Sequence, residues 1–208
     1  MGLRVSLYGI CALLAGCANT MTPAEYQQSV AQQACLEKQQ LKPYPVNFDK
    51  PASFSLGGEQ KEAIEENGRR SYAILNQLPD YNGPYSIEIV SHAQKGGVLP
   101  PKIELMDDGR NVTRIFDSGS FRFNRAAFKT TIFINDANRK EKFMLISADP
   151  DYQNISQKIV GVQISTISVQ PGVMLSFASE DKHQQIESSC GGQITVTLNR
   201  YQPQSIVQ

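Results

Sequence analysis

Three textures of hydrophobic and polar positions follow one another along the chain. An apolar run from Val5 to Ala15 comes first, then a weakly helical stretch. From Pro51 onward, short segments alternate apolar and polar residues with period two. Such alternation puts every second side chain on one face of a strand, and Gly, Pro, Asn and Asp separate the segments. This pattern predicts strands near 52–56, 70–78, 85–92, 102–107, 112–116, 127–134, 142–148, 160–168, 173–177 and 193–200. The clearest is Tyr85-Ser86-Ile87-Glu88-Ile89-Val90, followed by Thr130-Thr131-Ile132-Phe133-Ile134. Asp107-Asp108-Gly109 before Arg110-Asn111 marks a tight hairpin. The segment 58–68, with its charged run from Glu59 to Glu66, reads as an exposed, solvated loop. Many short strands with frequent turns predict a mainly β chain folded as a jelly-roll-like β-sandwich.

A helix is predicted ahead of the sandwich. Thr22-Pro23-Ala24-Glu25 reads as a capping box, with Thr22 at the N-cap, Pro23 at the first helical position and Glu25 three residues on. The pattern continues to about Gln40, where Pro43 and Pro45 stop it. Tyr26, Val30, Ala34 and Leu41 share roughly one face with Cys35, so the helix presents one apolar stripe. The chain thus divides into a signal segment (1–16), an N-terminal segment with the helix (17–47) and one β domain (48–208).

The first texture is an address. Met1-Gly2-Leu3-Arg4 carries one positive charge, and the apolar run after it is too short for a bilayer, which needs about 20 residues. It ends in Leu14-Ala15-Gly16-Cys17, which resembles the bacterial lipobox. That resemblance implies cleavage before Cys17, diacylation of its thiol and acylation of the new amino terminus, which together make anchoring stable. Ala18 stands where an Asp would resemble inner-membrane retention. The expected location is therefore the outer membrane, lipid-anchored and facing the periplasm.

Charge and cysteine content narrow the partners. Lys+Arg 20 against Asp+Glu 20 leaves no basic field for a phosphate backbone, which excludes nucleic acid as an expected partner. Two His and no Trp leave little material for a metal centre, and no cofactor is expected. With Cys11 removed and Cys17 lipidated, Cys35 and Cys190 remain as an even pair in an oxidising compartment, so a Cys35–Cys190 disulfide is expected. It would close a loop of roughly 155 residues, for up to about 5 kcal/mol. No C-x-x-C occurs, so a thioredoxin-like role has no support.

A family resemblance adds to this reading. Phe54-Ser55-Leu56-Gly57-Gly58, Arg70-Ser71-Tyr72-Ala73-Ile74, Tyr85-Ser86-Ile87-Glu88-Ile89, Leu99-Pro100-Pro101-Lys102-Ile103-Glu104-Leu105-Met106-Asp107 and Lys142-Phe143-Met144-Leu145-Ile146 occur in the order that resembles the maltose operon periplasmic protein family. The resemblance spans about 48–152. It implies a role accessory to maltodextrin or carbohydrate transport, without a defined activity. This chain departs from the family in being shorter, carrying a lipobox and lacking a Pro/Ala-rich linker with a C-terminal helical part.

Candidate chemistry is sparse. Asp117-Ser118-Gly119 resembles the Asp-Ser/Thr-Gly loop of aspartic proteases, where two carboxylates share a proton. One copy would require a symmetric dimer, with Ile159-Val160-Gly161 as the supporting apolar segment. The competing reading is a turn in which Asp117 bonds its own backbone. His92 and His183 show no partners in sequence. Asp149-Pro150-Asp151 and Asp107-Asp108 offer hard oxygens of the kind a calcium site uses, although such carboxylates also serve ordinary turns, and no metal is expected. Tyr44, Tyr72, Tyr81, Tyr85 and Tyr152 suit either a groove or the core, with the core preferred. The resulting expectation is a non-enzymatic lipoprotein that binds an envelope protein or glycan. A dimeric hydrolase using Asp117 is the alternative.

Overall fold

The structure, a computed structural model, describes residues 21–95, 97–124, 127–151, 155–159, 164–170, 173–178 and 182–201, with side chains described outside 124 and 152–186. The signal segment, Cys17, Tyr152 and the Val160-Gly161 pair lie outside these residues. One helix, α1 (Pro23–Ala31), precedes the strands. These are β1 (Pro43–Pro45), β2 (Ala52–Leu56), β3 (Ala63–Glu66), β4 (Arg69–Gln77), β5 (Tyr85–His92), β6 (Gly97–Val98), β7 (Pro101–Met106) and β8 (Val112–Phe116). There follow β9 (Arg122–Asn124), β10 (Ala127–Ile134), β11 (Phe143–Ala148), β12 (Ile155–Ile159), β13 (Ile164–Gln170), β14 (Val173–Ala178), β15 (Lys182–Ser188) and β16 (Gly192–Arg200). Among the described residues the chain is mainly β, with several sheets and one α-helix.

Two sheets hold most of the described strand residues. One runs β1-β4-β11-β7-β8, with β3 also paired to β4; the other runs β2-β16-β5-β10-β9. Tyr72 and Ile74 of β4, Ile103 and Leu105 of β7 and Ile146 of β11 share one core with Ile87 and Ile89 of β5, Ile132 of β10 and Ile194 and Val196 of β16. On β5 and β16, every second residue is buried, as period-two alternation requires. Beyond these sheets, β12 pairs with β15 and β13 with β14, and β15 also pairs with β6.

The Thr22 capping box forms as expected. The Thr22 side chain accepts from the Glu25 N–H at 3.3 Å, and Glu25 Oε2 accepts from the Thr22 N–H at 2.6 Å. The helix, however, ends at Ala31 rather than near Gln40. The weakly amphipathic Gln-rich half gains more by leaving the helix, because the outer face of the β4-containing sheet needs a cover. The Leu36 N–H donates to Ala63 O, Leu41 is buried against Ile64, Leu75, Met106 and Leu145, and Leu36 packs on the same cluster. Residues 32–42 therefore form a strap across that face. The Arg110 guanidinium donates to the carbonyls of Gln39 and Leu41 and lies 5.3 Å from the Phe143 ring centroid.

Segment 58–68 is likewise not a plain loop, since Ala63–Glu66 is a strand paired antiparallel with β4. The turn is Asn67-Gly68, with φ of 51° and 71° at its two positions, the left-handed conformations a two-residue hairpin of this hand needs. Of the strand expected at 160–168, residues 164–168 belong to β13 (Ile164–Gln170), and 160–163 lie outside the described residues. The short strands β1, β3, β6 and β9 were not signalled, since two to four residues contain too little alternation to register, and β12 and β15 were not signalled either.

One buried group works against stability. Asn76 on β4 is fully buried, and neither its Oδ1 nor its Nδ2 has a partner among the described residues. A buried unsatisfied polar group costs about 1–3 kcal/mol. Asn76→Leu, of similar branching, is expected to raise the free energy of unfolding by about 1 kcal/mol in urea titrations. A loss of that size would show that the amide is satisfied in solution.

Candidate functional site

A cleft of about 430 Å³ opens where α1, the β3–β4 hairpin, the end of β11 and the segment 188–190 meet. The Asn67-Gly68 turn sets Arg69 and Arg70 at the start of β4, opposite Glu66 and Glu65 of β3. Arg70 fixes the helix to the hairpin: its Nη1 donates to Ala31 O at the C-terminal end of α1, and its Nε to Glu65 at 3.0 Å. Cations suit a helix C-terminus, where the last carbonyls carry partial negative charge. Arg69 Nη1 donates to Pro150 O across the opening. The remaining positions are held by backbone bonds, from Tyr72 N–H to Cys190 O, Ser189 N–H to Val98 O and Asp149 N–H to Pro100 O. Gln27, Ser71 and Ser189 add polar lining.

Behind Glu66 lies a cluster of alternating charges. Lys38 from the strap donates to both Glu104 oxygens at 2.8 and 2.6 Å, and Lys102 donates to Glu66 at 2.5 Å and lies 3.1 Å from Glu104. The Glu104 side chain is only 4% exposed, so these two ammonium groups stand in for the water it has lost. Burial works against the Lys102 charge, but the hydrogen bonds and ion pairs to Glu66 and Glu104 outweigh it and hold its pKa above the ordinary lysine value.

Asp117 and Asp149 divide the acidic chemistry between them. Exposed Asp117 caps its own turn: Oδ1 accepts from both the N–H and the hydroxyl of Ser120 at 3.1 Å. Its neighbour Ser118 is buried and donates to Asp149 Oδ2 through its hydroxyl at 2.5 Å and its N–H at 2.9 Å, while Asp149 Oδ1 accepts from the Asp151 N–H at 3.0 Å. Burial works against the Asp149 charge, but the Ser118 and Asp151 hydrogen bonds and the nearby Lys102 hold its pKa below the ordinary aspartate value. A folded pKa below the unfolded one contributes stability above about pH 3.9, which is lost as pH falls through the folded value. Wild-type urea midpoints should therefore fall below about pH 4. Asp149→Asn should be less stable at neutral pH and flatter over that acid range. An identical acid slope in both proteins would assign the effect to other carboxylates.

The remaining residues singled out in the sequence are scattered. Asp107 accepts from the N–H and side-chain amide of Asn111, closing its hairpin, and no cluster of three metal-ligating side chains exists among the described residues. His92 Nε2 pairs with Thr195 Oγ1 at 3.0 Å, and His183 lies on β15. Tyr72 and Tyr85 are core residues, while Tyr44 and Tyr81 pack edge-on against Phe54 and Phe48. None of these four tyrosines lines the cleft. Arg69 and Arg70 were not singled out as site residues, and Asn67-Gly68 immediately before them was the available signal.

The expected Cys35–Cys190 bond is absent: both are free thiols. Cys35 pairs with Ala63 beyond the outer edge of β3, Ala63 faces Tyr72 on β4, and the Tyr72 N–H reaches Cys190 O on the other edge of β4. Three strand spacings of about 4.8 Å put the two backbones roughly 14 Å apart, beyond the roughly 4.4–6.8 Å between Cα atoms that a disulfide spans. Burial pushes the Cys190 thiol up to about 11. Without reductant, an alkylating reagent should label Cys35 in the native protein, label Cys190 slowly, and label both after denaturation. A pair that resists labelling in denaturant until reduced would restore the bond.

No family model matches the chain, and no curated protein is similar to it. Among solved structures, it is similar to the pre-peptidase C-terminal domain of a collagenase from Bacillus anthracis, at 7% identity and a TM-score of 0.34, covering 78% of this chain and 100% of that one. At that score the likeness carries no argument about fold or function.

Proposed function

We propose that the protein is a non-enzymatic, periplasm-facing lipoprotein of the outer membrane, anchored through Cys17, that binds an envelope protein or glycan in the cleft between α1 and the β3–β4 hairpin. The two larger sheets form its β-sandwich, of jelly-roll type. The observation that carries this reading is the cleft itself, an open concavity with two exposed guanidiniums at its mouth and hydroxyl and amide groups inside. The lipobox supports the anchor, and lipid attachment raises the effective concentration of the cleft toward partners on the same surface. The resemblance to the maltose operon periplasmic protein family supports a carbohydrate-related form of this role. The alternative, a dimeric hydrolase using Asp117, draws no support from a carboxylate that already accepts two hydrogen bonds from Ser120.

Two linked experiments test the reading. Cys17→Ser should move the protein from the membrane to the soluble fraction, and continued retention would contradict lipid anchoring. A photo-crosslinking residue in place of Gln27, which lines the cleft, should capture a discrete envelope component in intact cells. The same residue in place of Lys129, which lies on β10 and does not line the cleft, should not. Equal capture from both positions would remove the cleft from the proposal.

A further inference from the structure

The hydrogen-bonding capacity of the cleft is one-sided. Among its acceptors, Asp149 already receives three hydrogen bonds, from Ser118 twice and from Asp151, and Glu66 is held by Lys102. Its donors are much less engaged. Arg69 uses Nη1 on Pro150 O and Arg70 uses Nη1 and Nε, which leaves Arg69 Nε and Nη2 and Arg70 Nη2 without a partner among the described residues. The Ser71 hydroxyl makes no side-chain hydrogen bond there either, and the Ser189 hydroxyl accepts from the Gly191 N–H and keeps its own hydrogen to donate. The charges agree with this. Glu66 belongs to the balanced cluster of Lys38, Lys102, Glu66 and Glu104, and Arg70 is paired with Glu65, which leaves Arg69 as the cleft cation that pairs with no carboxylate among the described residues.

We infer that the cleft is selective for a carboxylate-bearing saccharide, an inference that rests on the binding role proposed above. A planar carboxylate is the natural partner of an unengaged guanidinium fork, which gives it two parallel, charge-assisted hydrogen bonds. The ligand's hydroxyl groups meet Ser71, Ser189 and Gln27, and the volume of about 430 Å³ accommodates a sugar-sized ligand. A neutral saccharide finds surplus donors and few unengaged acceptors. Binding it leaves the Arg69 Nε and Nη2 donors desolvated without a charged acceptor, which is the physical basis of discrimination.

The test is titration calorimetry on the purified full chain with digalacturonate, with maltotriose as the neutral control and trialanine as a peptide carboxylate. Digalacturonate should bind at least about tenfold more tightly than either, a ratio equal to about 1.4 kcal/mol. Its affinity should weaken with added salt. Arg69→Ala should lose about tenfold or more, and Arg69→Lys should recover only part because it keeps the charge without the fork. Gln27→Glu, a surface change on α1 that puts a carboxylate at the rim, should weaken digalacturonate without altering the melting temperature. This variant keeps the test decisive if Arg69→Ala destabilises the hairpin. Maltotriose bound as tightly as digalacturonate and indifferent to Gln27→Glu would overturn the acidic selectivity while leaving a glycan-binding cleft. Preference for trialanine would overturn the saccharide in favour of a peptide end. Binding of none of the three would overturn the inference, and the proposed function would then stand or fall on the crosslinking from position 27.

Discussion

Arg114→Ala is expected to lower the free energy of unfolding by about 3–5 kcal/mol, the range for removing one partner of a buried ion pair. The Glu141 side chain is only 1% exposed. It is held by two parallel bonds from Arg114, Nε to Oε1 at 2.7 Å and Nη2 to Oε2 at 2.6 Å, and by the Thr113 hydroxyl at 2.8 Å. Without the guanidinium, a buried carboxylate would keep only Thr113, whose hydroxyl also faces Leu105 O. The Arg114 stacking over Phe116, at 5.4 Å, would go as well. At about 2–4 °C per kcal/mol for a chain of this size, the melting temperature should fall by roughly 10 °C. The double variant Arg114→Met with Glu141→Leu should recover most of the loss, because it removes both charges together. A loss below about 1 kcal/mol for Arg114→Ala would show that water reaches the Glu141 carboxylate in the folded protein.

Removing residues 22–41 should have a larger effect and abolish cooperative unfolding. The segment contributes Tyr26, Val30 and Leu41, each at least 96% buried, and at about 2 kcal/mol per side chain their burial alone amounts to roughly 6 kcal/mol. Its loss also uncovers the apolar outer face around Ile64, Leu75 and Leu145, and it takes Lys38 from Glu104. Domains are typically stable by only about 5–15 kcal/mol, so little margin would remain. Circular dichroism should show a broad, early melt for the truncated chain. A sharp transition within a few degrees of the intact protein would make the helix and strap a spacer.

The strands that were legible beforehand are those with five or more alternating residues and one face on the core. β2, β5 and β10 start and end where the pattern puts them, and so does β8, although none of its residues is buried. The capping box at Thr22 and the Asp107–Asn111 hairpin were equally legible, because each is closed by neighbours in sequence. The β3–β4 hairpin was concealed by the charges of Glu59–Glu66, although Asn67-Gly68 marks its turn. Those charges suggest a solvated loop only while their partners are unknown, and Glu66 finds Lys102 across 36 residues. Misjudging that hairpin meant missing Arg69 and Arg70, and with them the cleft.

What the sequence determined by itself was local: where strands such as β2, β5, β8 and β10 lie, where α1 begins, and the lipobox at Cys17 as an expectation of address. Backbone hydrogen bonding, capping and hydrophobic alternation act over a few residues, so a few residues suffice to reveal them. The end of α1, the separation of Cys35 from Cys190 and the donor-rich character of the cleft were decided by tertiary structure. The helix stops at Ala31 because the strap stabilises more by covering Leu75 and Leu145 than by continuing the helix, and that comparison requires the sheet to exist. The two cysteines satisfied parity, but the strands between them hold them too far apart to join. Asp149 and Glu66 look like available acceptors in sequence, and only packing against Ser118 and Lys102 engages them and leaves the arginines to face the opening.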